Sequence, residues 1–197
     1  MRRIFKEVWE LAKPYLDTRD NEIHTKISVE FGYKLLEGEG GDEEVVIPAI
    51  MLHDVGWKKV PEELQLKGFG PKVTLPELTR IHEDEGVKIA RHILEKVNYD
   101  NDKAEEILRI VGGHDSRKEP ISLNDKLVKD ADKLFRYTRE YADIYTAKFQ
   151  FTYGQMYARH EKKLPMWFLT RSGSEMAKAE LEKRLKEKNN SKEVYHE

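Results

Sequence analysis

A histidine beside an aspartate, His53-Asp54, closes the apolar run Val45-Val46-Ile47-Pro48-Ala49-Ile50-Met51-Leu52. A run of that length suits a buried helix or a buried strand, where an imidazole and a carboxylate are costly without a partner. A divalent metal satisfies both groups, because neutral imidazole and ionised carboxylate are both its ligands. The competing explanation is a buried hydrogen-bonded pair that holds no metal. Other residues of the same types stand along the chain: His24 before the pair, and Asp132 after it in Lys129-Asp130-Ala131-Asp132-Lys133-Leu134. Two further histidines fall between, His82 in His82-Glu83-Asp84-Glu85-Gly86 and His114 in His114-Asp115. There is no cysteine, so disulfides and thiolate metal sites are excluded and only His and carboxylates remain as ligands.

The order His24, His53-Asp54, Asp132 resembles the HD-domain metal-dependent phosphohydrolases, over residues 20 to 140 or so. The resemblance implies that His24, His53, Asp54 and Asp132 are metal ligands. Asp132 is chosen because the family's last Asp sits in an Ala-Asp-x-Leu context, and Asp130 is the alternative two residues earlier. It also implies an all-α, single-domain helical bundle, with the core motifs at about 20–140 and C-terminal helices at about 139–189 packed on it. His82 and His114 extend the likeness to the subset with dinuclear centres. There they are either ligands of a second ion, with Asp54 bridging, or neighbours that hydrogen-bond a phosphate or the metal's water. The expected cofactor is one or two ions of Mn, Fe, Mg, Co, Ni or Zn.

The activity implied is hydrolysis of a small phosphorylated metabolite, first of all a nucleotide, by metal-activated water. Asp54 would orient the water, and Asp115 or Glu83 would relay its proton. Lys58 stands one residue later than the lysine that often follows His-Asp-x-Gly in the family. It is a candidate for phosphate contact or leaving-group protonation, against the plain reading of an exposed lysine beside Lys59. Lys67, Lys72, Arg80 and Arg136 are further phosphate-binding candidates. Two alternatives stand beside hydrolysis: a diiron HD-domain oxygenase using the same six-ligand pattern, and a catalytically silent ligand-binding or signalling module.

His82-Glu83 is not a zincin motif, because Gly86 occupies the place of its second histidine. His92, His160 and His196 read as structural or solvent-facing. Tyr137, Tyr141, Tyr145, Phe149, Tyr153 and Tyr157 repeat every four residues, a stripe that drifts around a helix. It fits core packing or a homodimer contact better than nucleobase stacking. Gly38-Glu39-Gly40-Gly41 lacks the Lys-Ser/Thr of a P-loop and reads as a turn.

The elements that must position these residues are helical throughout. A first helix runs through Ile4, Phe5, Val8, Trp9 and Leu11 to Pro14. Asp20 caps a second, with Ile23, Ile27, Phe31 and Leu35 on its inward stripe and His24 beside it. Asp42 caps the helix that carries His53-Asp54, and Gly56 ends it. Residues 58–73 read as an irregular crossing loop, and Thr74 with Glu77 has capping-box spacing. Helices follow over about 83–97, 102–112 and 123–137, then a long one from near 139 to before Pro165. Ser172 or Ser174 caps the last, whose Lys- and Glu-rich end frays.

The 197 residues can bury one core. Charged residues make up 37% of the chain yet leave a net charge of only -2, which argues against a nucleic-acid polymer as partner. The expected partner is therefore a small phosphorylated molecule. No apolar run is long enough to cross a membrane, and the start lacks the apolar stretch of a secretory signal. The expectation is a cytoplasmic protein. The richness in Lys and Glu suggests a heat-adapted source.

Overall fold

In a computed structural model, residues 1–69 and 73–193 are described, and they contain ten α-helices and no strand. The central one is α3, Glu43–Leu52, in which every residue from Val45 to Leu52 is buried. Asp42 caps it as its sequence predicts, its carboxylate accepting from the Glu44 N–H at 2.8 Å. Pro48 lies inside this helix and has no N–H to offer the Glu44 carbonyl one turn back. The Tyr99 hydroxyl donates to that carbonyl instead, at 2.7 Å. The helix interior thus tolerates its proline because a side chain from outside replaces the missing donor.

Around α3 pack α1 (Arg3–Ala12), α2 (Asn21–Glu39), α6 (Asn101–Val111) and α7 (Leu123–Phe135). The helix α5 (Glu77–Lys96) lies against α6 and against a 3-10 turn at Val55–Lys59. A short α4 (Glu62–Gly68) precedes α5, while α8 (Arg139–Phe149), α9 (Tyr153–Trp167) and α10 (Arg171–Glu193) follow α7. The last of these returns to pack on α7, α9 and α2.

Several sequence expectations need correction. Asp20 holds the N-cap position of α2 as expected, but in a left-handed conformation (φ 61°), and its carboxylate bonds Lys148 instead of a helix N–H. Ile23 is exposed, because the buried face of α2 runs through His24, Ser28, Phe31 and Leu35. Part of the expected 58–73 loop is the helix α4, and Lys72 lies outside the described residues, as does His196. His82 does not precede a helix but sits inside α5, which starts at Glu77 without a Thr74 cap. The expected long helix from 139 is two, separated at Gln150 in the left-handed region (φ 57°), and Pro165 falls within α9. Thr170, not Ser172 or Ser174, caps α10, its hydroxyl accepting from the Gly173 N–H. Gly38 and Glu39 belong to α2, leaving Gly40 and Gly41, both at positive φ, as the turn.

Candidate metal centre

The helix α3 ends at Leu52, and His53 and Asp54 occupy the turn that leaves it. Gly56 does not terminate that helix; its role is contact. A Cβ there would overlap the His82 carbonyl oxygen and the backbone of Gly86, so the Asp54 turn lies directly on α5 at the level of His82. Helix α2 supplies His24 from one side and α7 supplies Asp132 from another. The turn after α6 supplies His114 and Asp115.

These residues meet in two groups that share Asp54. In the first, His24 Nε2 lies 2.9 Å from His53 Nε2, and Asp132 Oδ1 lies 3.3 Å from His24 Nε2 and 3.8 Å from His53 Nε2. Asp54 Oδ2 stands 3.7 Å from both imidazoles. In the second, His82 and His114 bring their Nε2 atoms to 3.3 Å, with Asp115 Oδ2 at 3.6 and 3.7 Å from them. The other oxygen of Asp54, Oδ1, faces this group at 3.9 Å from His82 and 3.5 Å from His114. Ligand atoms that share one ion at about 2.1 Å are about 3.0 to 3.4 Å apart when adjacent and up to about 4.2 Å apart when opposite, so the spacings suit one cation in each group.

The tautomers make the same point. Nδ1 of His82 faces the Leu78 carbonyl at 3.2 Å, and Nδ1 of His114 faces the Val111 carbonyl at 2.9 Å. An Nδ1–H donated to a carbonyl leaves Nε2 with a bare lone pair, so two lone pairs confront each other unless a cation lies between them. His53 is held in the same way, its Nδ1 2.7 Å from the Ile50 carbonyl. These residues therefore fit a divalent metal.

The electrostatics agree. Burial alone would raise Asp54, but His53, His114, His24 and Arg19 outweigh it and hold this carboxylate well below the usual range. Asp132 is likewise held down, against burial, by Arg136 and His24. Burial lowers His53, and burial with the neighbouring His114 lowers His82 to about 4, so both stay neutral. His114 goes the other way: against burial, Asp115 and Asp54 push it up to about 10. In the metal-free cage a proton on His114 thus takes the place of a cation.

The alternative carboxylate, Asp130, lies away from this cage. It is fully buried and accepts from the Leu169 and Thr170 amides and the Thr170 hydroxyl at 2.7 to 2.9 Å, tying α7 to the start of α10. Glu83, read from sequence as a proton relay, is also fully buried, and it accepts from the Asp115 and Ser116 amides and the Ser116 hydroxyl. Its carboxylate clamps the His114 turn. Lys129 clamps the same turn from α7, its ammonium donating to the carbonyls of Gly113, His114 and Arg117. Sequence reading passed over Lys129, although it opens the motif that contains Asp132.

A cleft opens from the cage. Of the expected phosphate-binding cations among the described residues, only Arg136 lines it. Lys58 is exposed and pairs with Asp17 at 2.6 Å, Arg80 pairs with Asp84 at 2.9 Å, and Lys67 is exposed on α4. The structure adds Arg19, whose guanidinium lies 3.8 Å from the Trp57 ring centroid and 3.9 Å from that of Phe69. Its Nε and Nη1 are buried without a hydrogen-bond partner. His160 is buried, at 3% exposure, against Tyr137, Tyr141 and Trp167, the structural alternative of the two read from sequence, and it also lines the cleft. His92 is exposed, as expected of a residue outside the site.

Comparison with known proteins agrees with this picture. A solved structure of a predicted HD superfamily hydrolase from an uncultured Thermotogales bacterium superposes with a TM-score of 0.64 and 18% sequence identity. The match covers 96% of this chain and 92% of that one, and at this identity it shows the fold. No curated protein matches the sequence. The HD domain family model matches residues 21–137, a span that holds all six histidine and aspartate ligand candidates, and the chain therefore belongs to the HD domain family.

Proposed function

We propose that this protein is a metal-dependent phosphohydrolase that releases phosphate from a small phosphorylated metabolite, with a nucleotide as the first substrate to try, and that it works in the cytoplasm. The observation that carries the reading is the division of Asp54, whose two oxygens face two separate histidine pairs. His24, His53 and Asp132 would hold one ion with Asp54, and His82 and His114 a second. A divalent metal so held supplies a Lewis acid for the phosphoryl oxygens and lowers the pKa of water towards neutrality.

The chain's own groups supply the rest. Arg19, between two rings and with unpaired N–H groups, offers fixed donors to phosphate oxygens without first having to break an internal bond. Arg136, 3.4 Å from Asp132 Oδ2, keeps that carboxylate ionised and adds positive charge at the cleft wall. Asp115, partly exposed at the mouth of the second histidine pair, is placed to accept a proton from water. Trp57, Phe69, Tyr141 and Phe149 line the cleft beyond and offer rings against which a base can lie.

The test is metal analysis of the purified protein, then a phosphate-release screen over nucleotides with Mn, Mg, Co and Ni, run with and without air. Asp54→Ala should lose both metal and turnover while keeping its helical circular dichroism. Normal metal content and parental turnover in that variant would refute the assignment. Turnover that requires oxygen and releases no phosphate would favour a diiron oxygenase.

A further inference from the structure

Three ring contacts lead from the metal cage along the cleft. His24 meets the Phe135 ring edge-on at 4.7 Å, Phe135 meets Tyr141 at 5.5 Å, and Tyr141 meets His160 at 5.6 Å. All four residues line the cleft. His160 belongs to α9 and is 3% exposed, and the Tyr137 hydroxyl fixes its backbone by donating to its carbonyl at 3.0 Å. Tyr137 and Trp167 also pack on the imidazole, at 5.3 and 5.7 Å between ring centroids.

Among these rings Nδ1 of His160 is buried and has no hydrogen-bond partner. The histidines of the cage differ, because His53, His82 and His114 each hold Nδ1 against a backbone carbonyl. An all-carbon ring would pack in the same wall without leaving a buried polar atom unpaired, so the scaffold gains nothing from this nitrogen. A molecule bound in the cleft can supply the missing partner. Burial and the positive charges of Arg136, Lys163 and Arg159 lower His160 to about 3, so its imidazole is neutral. A neutral imidazole offers one N–H and one bare nitrogen, which suits the mixed donors and acceptors on the edge of a nucleobase.

We infer that His160 is a specificity-determining residue, whose imidazole hydrogen-bonds the polar edge of a nucleobase lying against Tyr141 while the phosphate sits at the metal cage. Tyr141 touches Phe135, which packs on the ligand His24, and it also touches His160, so a base on its ring lies between the two ends. Tyr145, stacked on Tyr141 at 5.1 Å, holds that ring in place. The inference rests on the phosphohydrolase reading for the fate of the phosphate, but the contact can be tested without turnover.

Calorimetry on the metal-loaded protein should compare the four common nucleoside 5′-monophosphates with 1-phenylribose 5′-phosphate, whose phenyl ring has the stacking face of a base and no polar edge. The best-bound nucleotide should bind at least about tenfold tighter than the phenyl analogue, because only the nucleotide satisfies the buried nitrogen. His160→Phe should reduce that preference to less than about threefold by weakening the nucleotide and sparing the analogue. His160→Asn, whose amide can stand where Nδ1 stood, should recover part of it. His160→Phe should also melt no lower than the parent, since it removes an unpaired polar atom, and should raise KM while changing kcat less than about twofold. A parent that binds the analogue as tightly as every nucleotide would overturn the inference, as would a His160→Phe variant that weakens all five compounds by one factor. If the preference holds and His160→Phe removes it while none of the nucleotides releases phosphate, the contact stands and the hydrolytic reading falls.

Discussion

Glu83 offers the sharpest division between a chemical and a structural role. Its carboxylate accepts three hydrogen bonds from the His114 turn: the Asp115 amide at 3.0 Å, the Ser116 amide at 2.9 Å and the Ser116 hydroxyl at 2.6 Å. Glu83→Gln keeps an amide oxygen for both backbone donors, and the Ser116 hydroxyl can rotate to accept from the new NH2. Losing charge assistance should then cost about 1–2 kcal/mol. Glu83→Ala leaves the two backbone donors without their acceptor in a buried setting, at about 1–3 kcal/mol each, so about 4 kcal/mol in all. Denaturant unfolding of the metal-loaded variants reads these losses, and metal titration reads the second histidine pair. Gln should hold two ions and turn over within about fivefold of the parent, whereas Ala should lose the second ion. A proton relay contributes about 100-fold or more. A Gln variant that is stable and metal-replete yet slower by that factor would refute the clamp and return Glu83 to the chemistry.

Other consequences can be checked in the same protein. Asp132→Ala should lose metal with little loss of stability. Asp130→Ala should do the reverse, because three donors at the start of α10 lose their acceptor; thermal melts beside metal analysis separate the two, and the opposite pattern would exchange their roles. His82→Ala and His114→Ala should each lower occupancy of the second ion and spare the first, and a parent that never exceeds one ion per chain in excess Mn would contradict this. Lys58→Ala should change kcat/KM less than about twofold, since the ammonium is exposed and engaged by Asp17. The pH dependence follows from His114, whose pKa is raised from 6.5 to about 10. In metal-free protein its protonated form stabilises the fold fully below pH 6.5, and that contribution is lost as pH rises through about 10. An ion entering the second pair must displace this proton, so its affinity should climb up to tenfold per pH unit until about 10, and unbuffered titration should detect the release. An affinity that is flat from pH 7 to 9 would show that His114 carries no such proton.

The sequence by itself determined the helical class, and through its resemblance to the HD domain family it named candidate ligands. His24, His53, Asp54, His82, His114 and Asp132 were named as candidates because their order resembles the pattern of that family, while the missing cysteine limits the ligand chemistry to imidazole and carboxylate and the apolar run ending in His-Asp demands a partner. The buried α3 and its Asp42 cap were legible for the same local reason: capping and periodicity are properties of neighbours in the chain. What each remaining polar residue does was not legible. Glu83 and Asp115 read alike, yet one is enclosed by amide donors and the other faces the second histidine pair. Asp130 and Asp132 lie two residues apart, and the 3.6-residue turn of α7 sends one to the start of α10 and the other to His24. Among the cations, Lys58 is exposed and pairs with Asp17, while Arg19, from the turn before α2, lines the cleft between Trp57 and Phe69. A charge acquires its function from what surrounds it, and those surroundings come from residues far away in the chain, brought together only by packing.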